Sequence, residues 1–182
     1  MSPPVSQDYQ QELADFRVTY SRAGCVTAIA LVMAGVGLDL STYPDRWREF
    51  LALRLAVSLV SLAILALLFT DAGRRQVRPL TMLWLLLPQA MIAWMIQQTD
   101  GVASIYFVGL HLALYAVGII LPISFFESIS FGVITLLLYL LACTLHGNGL
   151  GQTSMVVTNS LFIGFSAAAS AVCTWFNERA RV

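Results

Sequence analysis

Residues 131–142, FGVITLLLYLLA, and residues 62–69, LAILALLF, are apolar runs in which hydrophobic and polar side chains do not alternate. A strand of a membrane β-barrel requires that alternation, so these runs predict helices. Six apolar stretches follow one another, at about 23–40, 50–69, 80–96, 105–121, 129–145 and 155–176. Each is close to the roughly 20 residues that a helix needs to cross about 30 Å of hydrocarbon. The sequence therefore predicts an all-α, polytopic membrane protein built as a bundle of six transmembrane helices.

The composition supports the same conclusion. Of the 182 residues, 58% are hydrophobic and only 11% are charged, which is too few to cover the surface of a water-soluble domain. The formal net charge is zero, and all ten cationic residues are arginines that form no long basic run. This pattern excludes a nucleic-acid partner and makes the lipid bilayer the expected environment.

The positions of the arginines predict the orientation of the bundle. If both termini are cytoplasmic, seven arginines lie inside, two lie outside, and Arg54 lies within the second span. The inside set is Arg17, Arg22, Arg74, Arg75, Arg78, Arg179 and Arg181, and the outside set is Arg46 and Arg48. Because short cytoplasmic loops are enriched in basic residues, we expect a multi-pass protein of a bacterial inner membrane with both termini cytoplasmic.

The segment before the first span has its own pattern. Tyr9, Leu13, Phe16 and Tyr20 recur at helical spacing, with polar and charged residues on the opposite side. This predicts an N-terminal amphipathic helix that lies on the inner leaflet or packs against a partner helix. The expected organisation is thus a cytoplasmic amphipathic segment at 1–20, a six-helix transmembrane domain at 21–178, and the start of a cytoplasmic signalling helix at 179–182.

The second and third spans each contain a polar side chain within the apolar run. Arg54 lies one turn inside the second span. Its guanidinium could extend to the lipid headgroups or pair with an acid on the same side, which is Asp39, Asp45 or Asp100. The alternative is that it binds an anionic ligand. Pro88 and Gln89 lie at the middle of the third span. They predict either a kink with an interhelical hydrogen bond, or a hinge at Pro88 with a ligand contact from Gln89.

The fourth span carries His111 and, one turn later on the same face, Tyr115. We expect this face to point into the bundle or a cavity, where the two side chains are hydrogen-bonded or contact a ligand. His146 lies at the end of the fifth span, so a haem or metal between His111 and His146 is a further alternative. The three cysteines are far apart and show no metal-binding spacing, so no cofactor is expected.

The sixth span is rich in small residues, including Gly164, Ala168 and Ala171. They predict close helix packing, within one bundle or between the two protomers of a homodimer. The span continues into TWFNERARV at 174–182 without a glycine or proline stop, as expected for a helix that enters a cytoplasmic domain. No nucleophile elbow, phosphate loop or HExxH motif is present, so we expect a regulatory domain and no enzyme activity in this chain.

The order of the apolar spans and of the breaks between them resembles the six-transmembrane N-terminal input domain of bacterial sensor histidine kinases and class III adenylate cyclases. It also resembles the membrane part of quorum-sensing kinases. The features that carry the resemblance are DLSTYP at 39–44, Phe50, Leu53, Arg54, Pro88, Trp94, Met95, YFVGLHL at 106–112 and VGIILP at 117–122. The resemblance implies a dimer whose last helix continues into a cytoplasmic effector. This sequence ends at that helix, which suggests an excised domain or a stand-alone protein.

These observations lead to one functional expectation and two alternatives. We expect a sensor or anchor domain that detects a small apolar or amphiphilic ligand, or the state of the membrane, and relays it through the sixth helix to a cytoplasmic kinase or cyclase. The alternatives are a small transporter or channel component, and a haem-binding membrane anchor.

Overall fold

A computed structural model describes residues 5–147 and 153–180, with side chains from residue 15 onward. Over these ranges the chain is helical with short connections, and no strand is present, which confirms the predicted all-α class. The helices are α1 (Val5–Ala34), α2 (Val36–Thr42), α3 (Trp47–Leu67), α4 (Asp71–Arg75), α5 (Val77–Gln98), α6 (Phe107–Ile120), α7 (Phe125–Leu145) and α8 (Thr153–Ala180). A 3-10 turn at Gly101–Ala103 connects α5 to α6.

Five helical segments among the described residues are long and apolar enough to cross a membrane. They are Asp15–Thr42 (the membrane part of α1 together with α2), α3, α5, α7 and α8. The predicted fourth span is a shorter apolar helix, α6, which has 14 residues and a length of about 21 Å. It ends at Ile120 because Leu121 precedes Pro122 and is extended, the conformation that a following proline favours.

The N-terminal segment continues directly into the first span, since α1 is one helix of 30 residues. On its predicted apolar face, Phe16 and Tyr20 are exposed and their rings lie 4.2 Å apart. The side chains of Tyr9 and Leu13 lie outside the described residues. The separate surface helix predicted for this segment therefore stays a prediction, while the backbone shows a continuous helix.

Side-chain hydrogen bonds cap the N-termini of two helices, α4 and α7. The Thr70 hydroxyl accepts from the Gly73 amide at 3.1 Å and caps α4. Before α7, Ser124 and Glu127 form a capping box, in which each side chain accepts from the other residue's backbone amide. Glu127 is the only charged residue of the segment 122–128, and its carboxylate accepts a hydrogen bond from the backbone amide at the N-terminus of α7.

Polar contacts bring the connections together at two ends of the bundle. At one end, here called the basic end, the Arg22 guanidinium donates to the Leu68 carbonyl at 2.6 Å and Arg74 lies 3.7 Å from Asp15. At the opposite end, Tyr43 donates to Asp100. The membrane helices therefore alternate in direction along the chain, in the order α1, α3, α5, α6, α7 and α8. In the bundle α8 packs on α6 and α7, α5 on α7 and α3, and α1 on α3 and α5.

Candidate functional site

A buried ion pair joins α2 to α3 near the opposite end of the bundle. Arg54 Nε lies 2.6 Å from Asp39 Oδ2, and Arg54 Nη2 lies 2.8 Å from Asp39 Oδ1, so the contact is bidentate. The third nitrogen, Nη1, donates to the Val32 carbonyl at 2.8 Å, close to the break between α1 and α2. Asp39 is fully buried and Arg54 is 5% exposed. The pair thus sits in an environment where either charge alone would be costly.

The break between α1 and α2 occurs at a glycine that makes room for this guanidinium. A Cβ at Gly35 would lie 2.2 Å from Arg54 Nη1 and 2.6 Å from its Cζ, far inside contact distance. Because the guanidinium is held by Asp39 and the Val32 carbonyl, it has little freedom to move away. A side chain at position 35 is therefore incompatible with the observed ion pair.

Aromatic residues surround the ion pair and extend it to α6. The Tyr106 hydroxyl donates to Asp39 Oδ1 at 2.7 Å, and its ring stacks on Tyr43 with centroids 5.5 Å apart. Phe50 packs edge-on against Tyr106 at 5.7 Å. Partial burial and the hydrogen bond to Asp100 raise the pKa of Tyr43, so its phenol remains a neutral donor. The cluster links the start of α6 to α2, α3 and the end of α5.

Of the three acids that the sequence offered as partners for Arg54, the structure shows one in contact with it. The guanidinium pairs with Asp39, whereas Asp45 is exposed and Asp100 accepts from Tyr43. An anionic ligand at Arg54 would have to displace the Asp39 carboxylate.

The middle of the bundle contains one of the predicted interhelical hydrogen bonds. Gln89 on α5 is fully buried, and its Nε2 donates to the Leu110 carbonyl of α6 at 3.4 Å. Its Oε1 is buried and has no hydrogen-bond partner among the described residues. Pro88 lies inside α5, which is helical from Val77 to Gln98. A hinge at Pro88 and a ligand contact at Gln89 stay predictions.

The predicted face of His111 and Tyr115 meets α8. His111 Nδ1 lies 2.8 Å from Ser166 Oγ, and Ser166 donates to the Tyr115 hydroxyl at 3.1 Å. The Phe107 ring packs edge-on against the imidazole. His111 Nε2 is buried, and no group in the part of the chain that the structure describes forms a hydrogen bond with it. Tyr115 is 45% exposed, so this junction lies at the outer boundary of the α6–α8 contact. We call these three residues, His111, Tyr115 and Ser166, the α6–α8 junction.

The junction belongs to a polar face of α8 that the sequence interpretation missed. Asn159 donates to the Val102 carbonyl and to the Tyr139 hydroxyl, Ser170 lies 3.2 Å from Ser128 Oγ, and Asn177 donates to the Gly118 carbonyl. These residues and Ser166 are spaced at i, i+7, i+11 and i+18, which places them on one side of a helix. This spacing is visible in the sequence and could have predicted the polar face of α8.

The small residues of α8 divide between the inside and the outside of the bundle. Ala171 is buried, while Gly164 and Ala168 are exposed and a Cβ at Gly164 would meet nothing within 4 Å. Close approaches to α8 come instead from Gly118 of α6, where a Cβ would lie 2.6 Å from Ser170 Cα, and from Gly132 of α7, where a Cβ would lie 2.6 Å from Ala167 Cβ. Of the three predicted packing residues, only Ala171 therefore contributes to packing within the bundle.

The two histidines have separate partners. His146 Nδ1 lies 2.7 Å from the Gln97 carbonyl and its ring packs against Gly101, whereas His111 contacts the α6–α8 junction. Across residues 15–147 and 153–180, no group of three or more His, Cys, Asp and Glu side chains is placed to hold a metal ion.

Comparison with known proteins places the chain in a family. The family model MASE8 matches residues 37–182, which extend from α2 to the end of α8 and include the ion pair and the α6–α8 junction. No curated protein and no solved structure matches the chain. Because the match covers well over half of a chain rich in apolar helices, this membrane protein belongs to MASE8, a family of membrane-associated sensory domains.

Proposed function

We propose that this chain is a membrane-embedded input domain that detects a small apolar or amphiphilic ligand, or the state of the bilayer, and relays the signal through α8. The family supports the sensory role. The observation that carries the relay is the α6–α8 junction, in which His111 and Tyr115 both contact Ser166. A rearrangement of α6 cannot leave these contacts intact unless α8 moves with it.

The unpaired polar atoms supply the recognition chemistry. His111 Nε2 and Gln89 Oε1 are buried and have no partner within residues 15–147 and 153–180. They lie on α6 and α5, the two helices that the Gln89–Leu110 hydrogen bond joins. A buried polar group without a partner costs about 1–3 kcal/mol, so a ligand group that satisfies it gains a comparable amount. This gain shifts an equilibrium between two arrangements only if the groups are available in one arrangement and not in the other.

The proposal includes the finer architecture. In it, α6 is the fourth of six transmembrane helices, short enough that its ends are covered by the aromatic cluster at one side and by residues 121–124 at the other. Both termini are cytoplasmic, in agreement with the arginines of the basic end. The exposed Gly164–Ala168 face of α8 is the proposed homodimer contact, and the last turns of α8 lead to a cytoplasmic kinase or cyclase that carries out the chemistry.

A fusion of residues 1–182 to an adenylate cyclase tests the proposal through cyclic nucleotide production in cells. We expect His111→Leu and Gln89→Leu to change basal output several-fold, and to alter the response to a panel of short-chain apolar and amphiphilic compounds. His146→Leu is the matched control, since His146 contacts the Gln97 carbonyl away from the junction. Unchanged basal output and unchanged responses in both variants would remove these residues from the sensing site.

A further inference from the structure

A crevice opens at the basic end between α1, α5 and the connection from α6 to α7. Its volume is about 20 Å³, and its polar lining consists of Arg17, Ser21, Arg78, Thr81 and Glu127. Leu121 and Ile123 are among its apolar walls. This is space for about one water-sized group beneath a mouth that carries two guanidinium groups.

The hydroxyl groups on the floor of the crevice have no hydrogen atom left to donate. Thr81 donates to the Val77 carbonyl at 2.6 Å, so Ser21 is the donor in the 2.8 Å contact between the Ser21 and Thr81 hydroxyls. Trp84 Nε1 donates to Ser21 Oγ at 3.0 Å, which completes the network. An anionic group that enters the crevice must therefore be held by the arginines at its mouth rather than by the floor.

The charges at the mouth favour an anion. Two of the residues that line the crevice are arginines, Arg17 and Arg78, and one is an acid, Glu127, whose Oε2 accepts from the Ser124 amide. The Arg78 side chain is exposed, and it forms no hydrogen bond or ion pair with another described residue. A guanidinium in this setting is well suited to the oxygen atoms of a phosphate group.

We propose that this crevice binds the phosphate group of an anionic phospholipid, with Arg78 as the charged contact. The location argues for a lipid, because the crevice lies where apolar helices end and has apolar walls directly below the guanidinium groups. A bound headgroup would join α1 and α5 to the α6–α7 connection. This inference does not depend on the proposed sensing function, since it concerns the opposite end of α6 from the His111 turn.

Native mass spectrometry of the purified full chain in detergent tests the site, with phosphatidylglycerol and phosphatidylcholine supplied in equal amounts. We expect preferential binding of phosphatidylglycerol, and a reduction of about fivefold in Arg78→Gln, the effect of one arginine near a membrane surface. Arg75→Gln is the matched control, since Arg75 is an exposed arginine of the same end that does not line the crevice. Its binding should change by less than about twofold.

Two results would overturn the proposal. Equal losses in Arg78→Gln and Arg75→Gln would show that lipid is attracted by the whole basic surface and not by the crevice. Displacement of the lipid by millimolar inorganic phosphate would show that the crevice takes a free anion. Because Arg78 is exposed, the variant is expected to fold, and a circular dichroism spectrum that matches the parent chain verifies this.

Discussion

Replacing Asp39 by asparagine removes one charge of the buried ion pair and leaves Arg54 without its counter-ion. The substitution keeps an oxygen that can accept from Tyr106, so the lost interaction is mainly the charge. With charge centres about 4 Å apart and an effective dielectric constant of about 20, the attraction is about 4 kcal/mol. Breaking a buried pair on one side typically costs about 3–5 kcal/mol, because the remaining charge stays desolvated. We therefore expect Asp39→Asn to lower the free energy of unfolding by about 3–5 kcal/mol.

A double-mutant cycle separates this coupling from other effects of the substitutions. Asp39→Asn, Arg54→Met and the double variant are unfolded from mild detergent by titration with a denaturing detergent, followed by circular dichroism. The double variant should cost at least about 2 kcal/mol less than the sum of the single variants, because it leaves no unpaired charge. Asp45→Asn, at an exposed acid of the same end, should change stability by less than about 0.5 kcal/mol. Additive costs within about 0.5 kcal/mol would refute the reasoning.

Two pairs of glycine substitutions give further predictions from the space around each Cβ. Gly35→Ala should lower the unfolding free energy by an amount comparable to loss of the ion pair, while Gly37→Ala, in open space on α2, should be neutral or stabilise by up to about 1 kcal/mol in the same titration. Gly118→Ala should separate α6 from α8, because the added Cβ meets the Ser170 backbone, and it should therefore change the basal output of the cyclase fusion. Gly164→Ala should leave the fold of the single bundle intact. Equal behaviour within either pair would contradict the packing described here.

Hydropathy alone indicated the approximate positions of the apolar helices, but only five of the six predicted spans correspond to helical segments long enough to cross a membrane. Residues 105–121 are apolar throughout, yet α6 occupies only Phe107–Ile120. Ile105 and Tyr106 belong to the turn that follows the 3-10 segment, and Leu121 is extended before Pro122. Apolar character indicates that a residue is buried in lipid or protein, whereas a helix ends where its backbone hydrogen bonds stop, and the two limits need not coincide.

The polar residues show how far a sequence pattern can assign partners. The sequence identified Arg54, Gln89 and His111 as side chains that need partners inside the bundle, because apolar surroundings make an unpaired polar group costly. It did not select Asp39 from three acids, nor Ser166 as the partner of His111. These choices depend on the depth and angle at which two helices cross, and residues 15 or 55 positions apart leave no periodic trace of that geometry.

The sequence by itself determined that this chain is a helical membrane protein, because the cost of exposing backbone and polar groups to hydrocarbon leaves a long apolar run few alternatives to a helix. Short loops and the placement of arginines also determined which helix ends lie together. Only the tertiary structure decided which of the small residues of α8 pack against the bundle, with Ser166 and Ser170 inside and Gly164 outside. Small residues are compatible with both a protein and a lipid neighbour, so their direction follows from the position of the other helices, and that position is a property of the packed bundle as a whole.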